Sequence, residues 1–598
     1  MSERVSDFIV QRMKAWGVNR IFGYPGDGIN GMMGAINRAG NDPQFVQVRH
    51  EEMAALMACA HAKYTGEVGV CMATGGPGAI HLLNGLYDAA GDHMPVVALI
   101  GQAARFSMGS DFQQETDLAA LFKDVGHRYC QTVTDAPAAR HIIDRAFRIA
   151  IAEHAVTVVI LPKDVQEVEY APPPRMLGAT FSGVGYTAPR VIPTDADLRR
   201  AADVLNAGNK VAILIGAGAM GATDAVIETA DILGTGVAYA LLGKSAIPND
   251  LPFVTGAIGL LGTRPSYEMM AGCDTLLMVG TSFPYADHLP KEGQARGVQI
   301  DLAARNLGLR YPTEVNLHGD SAETLRALIP LLTRKTDRAW REEIERSVYD
   351  WHETAAASAS RAANPLNPQR VYTELSARLP EDVLLSVDSG TSTAWYARDI
   401  YLKRGMFGTL SGSLATMGCG VPYAIAAKFA HPQRLVVALV GDGAMQMNGS
   451  LELITAAKYY HQWADPRLIV LVLNNHDLSY VTWEMRANEG DPKFEASQAV
   501  PDFPYAQYAE SIGLRGVRVD KPEGVAAALD VAFAADRPCV IEAVTDPNVP
   551  ILPPHITLEQ MKGYLSSVLK GDPDARDIVR QSVRDAPTVL KGILPHRD

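Results

Sequence analysis

The sequence predicts an α/β chain of doubly wound, open parallel-sheet domains, and three observations predict it. Short uninterrupted apolar runs, such as 211–215, 435–440 and 468–473, read as strands buried on both faces. Several of them end in a glycine-containing loop that opens a helix-like segment, the strand–loop–helix order of a parallel sheet. The chain has 598 residues, and at about 150 residues per domain this suggests three or four domains.

The most informative unit lies near the C-terminal end. Residues 435–440 lead into Gly441, Asp442, Gly443 and Ala444; a helix-like segment covers 451–461; and the run 468–473 ends in Asn474 and Asn475. Both loops fall at carboxyl ends of strands, the edge of an open parallel sheet where ligands sit. The glycines let the backbone pass close to a ligand and point N–H groups at it. One carboxylate, one amide oxygen, a backbone carbonyl and phosphate oxygens make an oxygen-only shell that suits Mg²⁺. The expected ligand is a Mg²⁺-bound diphosphate.

GDG, a spacer of about 30 residues and NN together resemble the signature of thiamine-diphosphate enzymes. The resemblance covers nearly the whole chain and is closest to the group of pyruvate oxidase, quinone-linked pyruvate dehydrogenase and acetolactate synthase. It implies a pyrimidine-binding domain over 1–180, a central FAD- or transhydrogenase-like domain over 190–345, a diphosphate-binding domain over 365–550, and a C-terminal tail, 551–598. It also implies that Asp442, Asn475 and the backbone carbonyl of Asp477 hold the metal, with Gly441, Gly443 and Ala444 against the cofactor.

In chain order, residues 2–16 read as a helix and 18–22 as a strand, followed by a turn in which the resemblance makes Pro25 and Gly26 cofactor neighbours. The strand 45–48 delivers Arg49-His50-Glu51-Glu52 to a helix start, where either glutamate would favour the helix dipole. In the family, the Glu that follows His contacts N1′ of the cofactor's pyrimidine from the subunit opposite the diphosphate; here that is Glu51, with Glu52 structural. A buried carboxyl there stabilises the tautomer that removes the thiazolium C2 proton. Strand 68–73 ends in TGGPG, and His81 follows on a helix. A lone helical His is usually packing; the resemblance places it in or beside the substrate cavity. Relatives carry Phe-Gln-Glu after the next strand. This chain has Gln113 in the Phe position and keeps Gln114, so the pocket is more polar there.

The Pro- and Gly-rich stretch 172–193 reads as a linker. Strand 210–215 leads into Gly216, Gly218 and Gly221, a GxGxxG match. The ribose-binding acid expected about 20 residues on is missing, which argues against NAD. The resemblance offers FAD instead, touched by 216–221, by 259–264 with Arg264, by 280–285 with Thr281 and Phe283, and by Asp301 as partner of a ribose or ribityl hydroxyl. Strand 382–387 leads to Gly390 and Thr391, which resemble a second diphosphate loop. Met417, by composition a packing residue, occupies the place where the family bends the cofactor over a bulky apolar side chain. Tyr480 and Glu484 begin a helix that would face the reaction centre. The tail has amphipathic segments without the strong apolar and basic faces of interfacial helices, so a solvated or subunit-packing tail is expected and peripheral membrane contact is not favoured.

Composition removes other classes. Hydrophobic residues make up 47% and charged residues 20%, with net charge −13 and no long charge run, so no nucleic-acid surface is expected. No uncharged apolar run of 18 residues appears, the N-terminal segment lacks a signal-peptide pattern, and the six cysteines (Cys59, Cys71, Cys130, Cys273, Cys419, Cys539) form no CxxC pair, which together suit a reducing cytoplasm. The combined expectation is thiamine-diphosphate- and Mg²⁺-dependent decarboxylation of a 2-oxo acid, pyruvate first, with the resulting enamine oxidised by FAD. The assembly would be a homodimer at minimum and a homotetramer by resemblance. The alternatives are an acetolactate-synthase-like carboligase or non-oxidative decarboxylase with inert or absent flavin, and a cofactor-binding paralogue without turnover.

Overall fold

The computed structural model describes residues 3–551 and 558–577. They form three six-stranded sheets in which every strand pair is parallel.

The first sheet holds β1 (Arg20–Gly23), β2 (Gln44–Gln47), β3 (Gly69–Ala73), β4 (Val96–Gln102), β5 (Tyr129–Thr132) and β6 (Val156–Pro162), in the order β2-β1-β3-β4-β6-β5. The second holds β7 (Val211–Ile215), β8 (Val237–Tyr239), β9 (Val254–Ala257), β10 (Thr275–Val279), β11 (Arg296–Asp301) and β12 (Val315–His318), in the order β12-β11-β10-β7-β8-β9. The third holds β13 (Leu384–Val387), β14 (Phe407–Leu410), β15 (Val436–Gly441), β16 (Leu468–Asn474), β17 (Arg515–Val519) and β18 (Cys539–Val544), in the order β14-β13-β15-β16-β18-β17.

Counted within each domain, the first and third sheets share the order 2-1-3-4-6-5. The central one has the dinucleotide-binding order 3-2-1-4-5-6. Each therefore has a switch point where neighbouring strands send their following helices to opposite faces. These lie between β1 and β3, between β7 and β10, and between β13 and β15. The central strands are continuously apolar because both their faces are covered: β4, β6 and β16 are buried at every residue.

The first and third domains share one core. The Ala-rich helix Glu51–Thr65 is buried over most of its circumference and packs against helix Gly420–Ala430. Helix Leu83–Gly91 lies equally close on its other side; a Cβ on Gly85 would lie 2.5 Å from the Leu56 backbone nitrogen. Lys63 crosses the junction, donating to Asp92 and to the Leu410 carbonyl, both at 2.6 Å.

The expected helix over 2–16 is Val5–Ala15, and β8 is confined to Val237–Tyr239, because 241–246 turns into a 3₁₀ segment. All six cysteines are unpaired and only Cys130 is not fully buried. Among the described residues no helix is long and apolar enough to cross a membrane. Expected as solvated or subunit-packing, the described part of the tail docks on its own domain. Arg486 is buried and paired bidentately with Asp572 at 2.8 Å, and Trp483 stacks on Tyr564 at 5.4 Å. A notch at Gly563, where a Cβ would meet the Ala487 carbonyl at 2.4 Å, admits the contact.

Candidate active site

The β13–β15 switch point gathers the diphosphate candidates. After β13 the chain turns through Gly390 at φ 104°, a conformation that favours glycine; a Cβ there would meet nothing within 4 Å, so the turn lines open space. Thr391 then opens the helix Thr391–Asp399. After β15, Asp442 is buried. Its Oδ1 accepts the Gly443 N–H at 2.8 Å, and its Oδ2 accepts those of Asn475 at 2.9 Å and His476 at 2.6 Å. Burial pushes its carboxyl up to about 6 against these three donors. A buried carboxylate held only by neutral dipoles is chemically matched to a cation. Gly443 stands against Met417, whose Sδ and Cε lie 3.9 Å from the place of a Gly443 Cβ. Gly441 and Ala444 flank Asp442 in the same loop, which continues into a π-helical turn over 445–449 that periodicity did not anticipate.

The two asparagines after β16 separate in role. Asn474 ends the strand and donates to the buried Glu542 at 3.1 Å. Asn475 is in the loop, with Nδ2 donating to Ser479 at 2.9 Å and Oδ1 accepting the Asp477 N–H at 3.1 Å. The Asp477 side chain is turned to Thr482 at 3.0 Å and to Lys493 at 3.4 Å, so a metal contact from this residue falls to its backbone carbonyl.

The β1–β3 switch point gathers the second group. Glu51 is buried at the first position of its helix, and His81 Nδ1 lies 2.9 Å from its Oε2. His50 caps that helix, its Nδ1 accepting the Glu52 N–H at 3.3 Å, and its ring lies 4.3 Å from that of His81. A Cβ on Gly78 would come within 3.2 Å of Glu51 Oε1, so glycine there keeps the carboxylate uncrowded. Glu52 is structural: it accepts from Asn84 at 2.6 Å, and Asn84 bridges to Thr416 at 2.8 Å, beside Met417. Gly26 packs on Thr74, with Pro25 exposed next to it. Gln114 takes φ 64°, and a Cβ on Gly76 would meet both its Cβ and its carbonyl at 2.9 Å; Gln114, Gln113 and Phe112 are all exposed. The sequence reading did not single out His50, whose capping position beside Glu51 was the available signal.

At the central switch point the loops after β7 and β10 lie on each other. A Cβ on Gly216 would meet the Gly280 carbonyl at 2.4 Å, and one on Gly218 the Gly280 Cα at 2.8 Å. The N–H of Gly216 donates to Val279 and that of Gly218 to Gly280, both at 3.0 Å. These glycines are required by loop packing, and their N–H groups are already engaged. Thr281 and Phe283 are buried. Arg264 begins a helix, and its Nε is buried without a hydrogen-bond partner; Glu268 is 3.5 Å away. Asp301 ends β11, buried, with Oδ1 accepting the Ala303 N–H at 2.7 Å and its carboxyl raised by burial. A buried acid at the carboxyl end of β11, in a sheet with the dinucleotide-binding strand order, fits the ribose of an adenine dinucleotide, whereas Arg264 is already ion-paired with Glu268.

The third and central domains meet around Tyr480, on helix Ser479–Glu484. Burial pushes its phenol up to about 12; Glu484 and Tyr285 act in the same direction and the Arg398 guanidinium opposes them. Glu484 is exposed at the helix end, with its carboxyl raised by partial burial.

Three family models match in chain order: the N-terminal thiamine pyrophosphate-binding domain over 3–121, the central domain of thiamine pyrophosphate enzymes over 198–328, and their C-terminal thiamine pyrophosphate-binding domain over 388–543. Among relatives, YdaP of Bacillus subtilis, whose name assigns it thiamine pyrophosphate and no reaction, is 36% identical over 94% of this chain and 95% of its own length. The pyruvate oxidase of Lactiplantibacillus plantarum is 29% identical over 91% of this chain and 89% of its own. The acetolactate synthase isozyme 2 large subunit of Escherichia coli is 29% identical over 94% of this chain and 100% of its own.

Proposed function

This chain belongs to the thiamine pyrophosphate enzyme family, in the pyruvate oxidase and acetolactate synthase group, and we propose that it decarboxylates a 2-oxo acid, pyruvate first, and passes the electron pair to FAD. The observation that carries the thiamine-diphosphate part is the buried Asp442 between two glycines at the β13–β15 switch point, facing the open Gly390 turn and Asn475. When bound, thiamine diphosphate supplies a nucleophilic thiazolium carbon and an electron sink for loss of CO₂.

The protein's own part is positional and electrostatic. Asp442, the Asn475 amide oxygen and the Asp477 carbonyl hold Mg²⁺ on the diphosphate. Gly390 and Thr391 clasp the diphosphate from the other strand. Met417, beside the Gly443 turn, would offer the cofactor an apolar support. Glu51 holds a proton at the pyrimidine N1′, and His81, hydrogen-bonded to the same carboxyl, orients it and faces the substrate with Gln114. Tyr480 and Glu484 close the side toward the flavin. Because Glu51 and Asp442 belong to opposite subunits in the family, the working unit is a homodimer or a homotetramer built from it.

The FAD assignment is supported by the central strand order and the buried Asp301 at the carboxyl end of β11. Carboligation with an inert flavin is the second reading, supported by the equal 29% identity to pyruvate oxidase and acetolactate synthase; Gln113 in the Phe position argues for a more polar 2-oxo acid than pyruvate in either reading. The visible spectrum of purified protein, before and after anaerobic pyruvate, separates them. Flavin bands that bleach are the expected result. Bands that persist while CO₂ forms favour carboligation or simple decarboxylation, and absence of flavin from protein purified with its cofactors overturns the FAD assignment.

A further inference from the structure

Helix Thr391–Asp399 begins at the Gly390 turn and ends inside the junction with the central domain. Its penultimate residue, Arg398, is buried at 7% exposure. The guanidinium crosses to the central domain and holds three successive carbonyls. Nη2 donates to Leu260 at 3.1 Å, and Nε donates to Leu261 at 3.3 Å and Gly262 at 3.1 Å. Those residues precede Arg264 in the segment assigned to the flavin. Among the described residues this guanidinium forms no salt bridge, and the hydrogen bonds it makes all go to that one loop. A buried cation satisfied by one loop's carbonyls is costly unless the loop stays in place, so the contact is an all-or-none clamp.

The same helix end has a second tie. Lys244, fully buried in the central domain, donates to the Ala397 carbonyl at 3.2 Å and to the Tyr239 hydroxyl at 3.0 Å. The charged and titratable groups facing Arg398 are Asp399 on its own helix and Tyr480 from helix Ser479–Glu484. At the other end, Thr393 Oγ1 donates to the Asp388 carbonyl at 2.7 Å, and Asp388 accepts the Gly418 N–H at 2.8 Å, next to Met417. One rigid two-turn helix thus has the diphosphate turn at its start and the 260–262 turn at its end.

We propose that Arg398 is a positioning residue that couples the two cofactor sites, transmitting occupancy of the Gly390–Thr391 turn to the Leu260–Gly262 turn and so fixing the flavin-side segment against Tyr480. The inference rests on the readings of those two segments as diphosphate and flavin contacts. Ordering the start of the helix seats its end, and the guanidinium fork carries that order to three carbonyls at once. Lysine cannot span the same three acceptors with a planar fork, so Arg398→Lys keeps the charge and loses the clamp.

The experiment measures the Kd of thiamine diphosphate with Mg²⁺, with and without saturating FAD, on full-length wild type, R398K and R398Q. Hydrogen exchange of residues 257–266 is followed in the same samples. In wild type, FAD tightens thiamine diphosphate by ~5-fold or more, a typical coupling between sites, and thiamine diphosphate slows exchange across 259–264. In R398K the coupling factor falls to about 1, since a lost clamp leaves no differential contact, and the exchange difference disappears while peptides over 384–397 stay protected. R398Q serves as the charge-free check. Coupling of wild-type size in R398K, or no coupling in wild type that binds both cofactors, overturns the proposal. If wild type binds no FAD, the flavin reading fails by itself, and the exchange response of 259–264 to thiamine diphosphate alone still decides whether Arg398 transmits.

Discussion

The first and third domains have the same strand order, 2-1-3-4-6-5, and in both the loops after the first and third strands meet at the switch point. What those loops carry differs. In the third domain they are open and polar: Gly390 at φ 104° with free space beside it, and Asp442 ringed by backbone N–H groups with no cation partner within 4 Å among the described residues. In the first domain they are closed on one another, with Gly26 packed on Thr74, and the carboxylate beside them, Glu51, comes from the helix after the second strand and is already bonded to His81. One frame leaves a buried carboxylate among backbone N–H groups beside an open turn; the other sets a buried carboxyl against a histidine. Topology fixes where a ligand can sit, and the loop residues decide which part of it.

Disabling the cradle carries the largest expected effect. D442N weakens Mg²⁺-dependent thiamine diphosphate binding by more than ~100-fold, since even outer-shell losses cost 10- to 100-fold; calorimetric titration checks it. N475A weakens the same binding by about 10- to 100-fold. Its neighbour sharpens the contrast: N474A, which removes one of the partners of buried Glu542 and leaves Arg518 and the Ala506 N–H in place, is expected to cost about 1 kcal/mol of stability in denaturant unfolding, with cofactor affinity close to wild type.

The pH dependence of cofactor binding follows from Asp442, which must be ionised to hold a metal. With its carboxyl at about 6, affinity falls ~10-fold per unit below that pH, as one proton competes with the metal. For the cofactor-free protein the sign is opposite. The folded value lies above the unfolded carboxylate value of about 3.9, so this group stabilises the fold below about 4, and that contribution is lost as pH rises through about 6. Cofactor-induced stabilisation is therefore larger at pH 7 than at pH 5, measurable by thermal melts. The smallest effect is Gln113→Phe: the residue is exposed on its loop, and a single apolar side chain shifts substrate preference by only ~10-fold, read as relative kcat/KM for pyruvate against a more polar 2-oxo acid.

The cradle was the legible part because its chemistry is local. Asp442 and Asn475 are about 30 residues apart and sit at the ends of adjacent strands, so spacing, glycine and a β-run suffice to place them together. The carboxyl side was less legible. A Glu at a helix start is equally a dipole partner, and only the fold brings His81, 30 residues later, to 2.9 Å. The glycines of 216–221 read as ligand contacts, yet two of them serve loop-on-loop packing, which no one-dimensional pattern reveals. Arg398 was invisible for the same reason: a lone Arg at a helix end carries no motif, and its carbonyl partners lie more than 130 residues away.

The division of labour between the two equal frames is tested most directly by exchange of the thiamine diphosphate C2 proton in E51Q, with Mg²⁺-dependent cofactor binding measured on the same sample. The expected result is binding close to wild type with exchange slowed at least ~100-fold, the size of a lost general acid–base contribution. Exchange at the wild-type rate in E51Q that still binds cofactor would contradict the account.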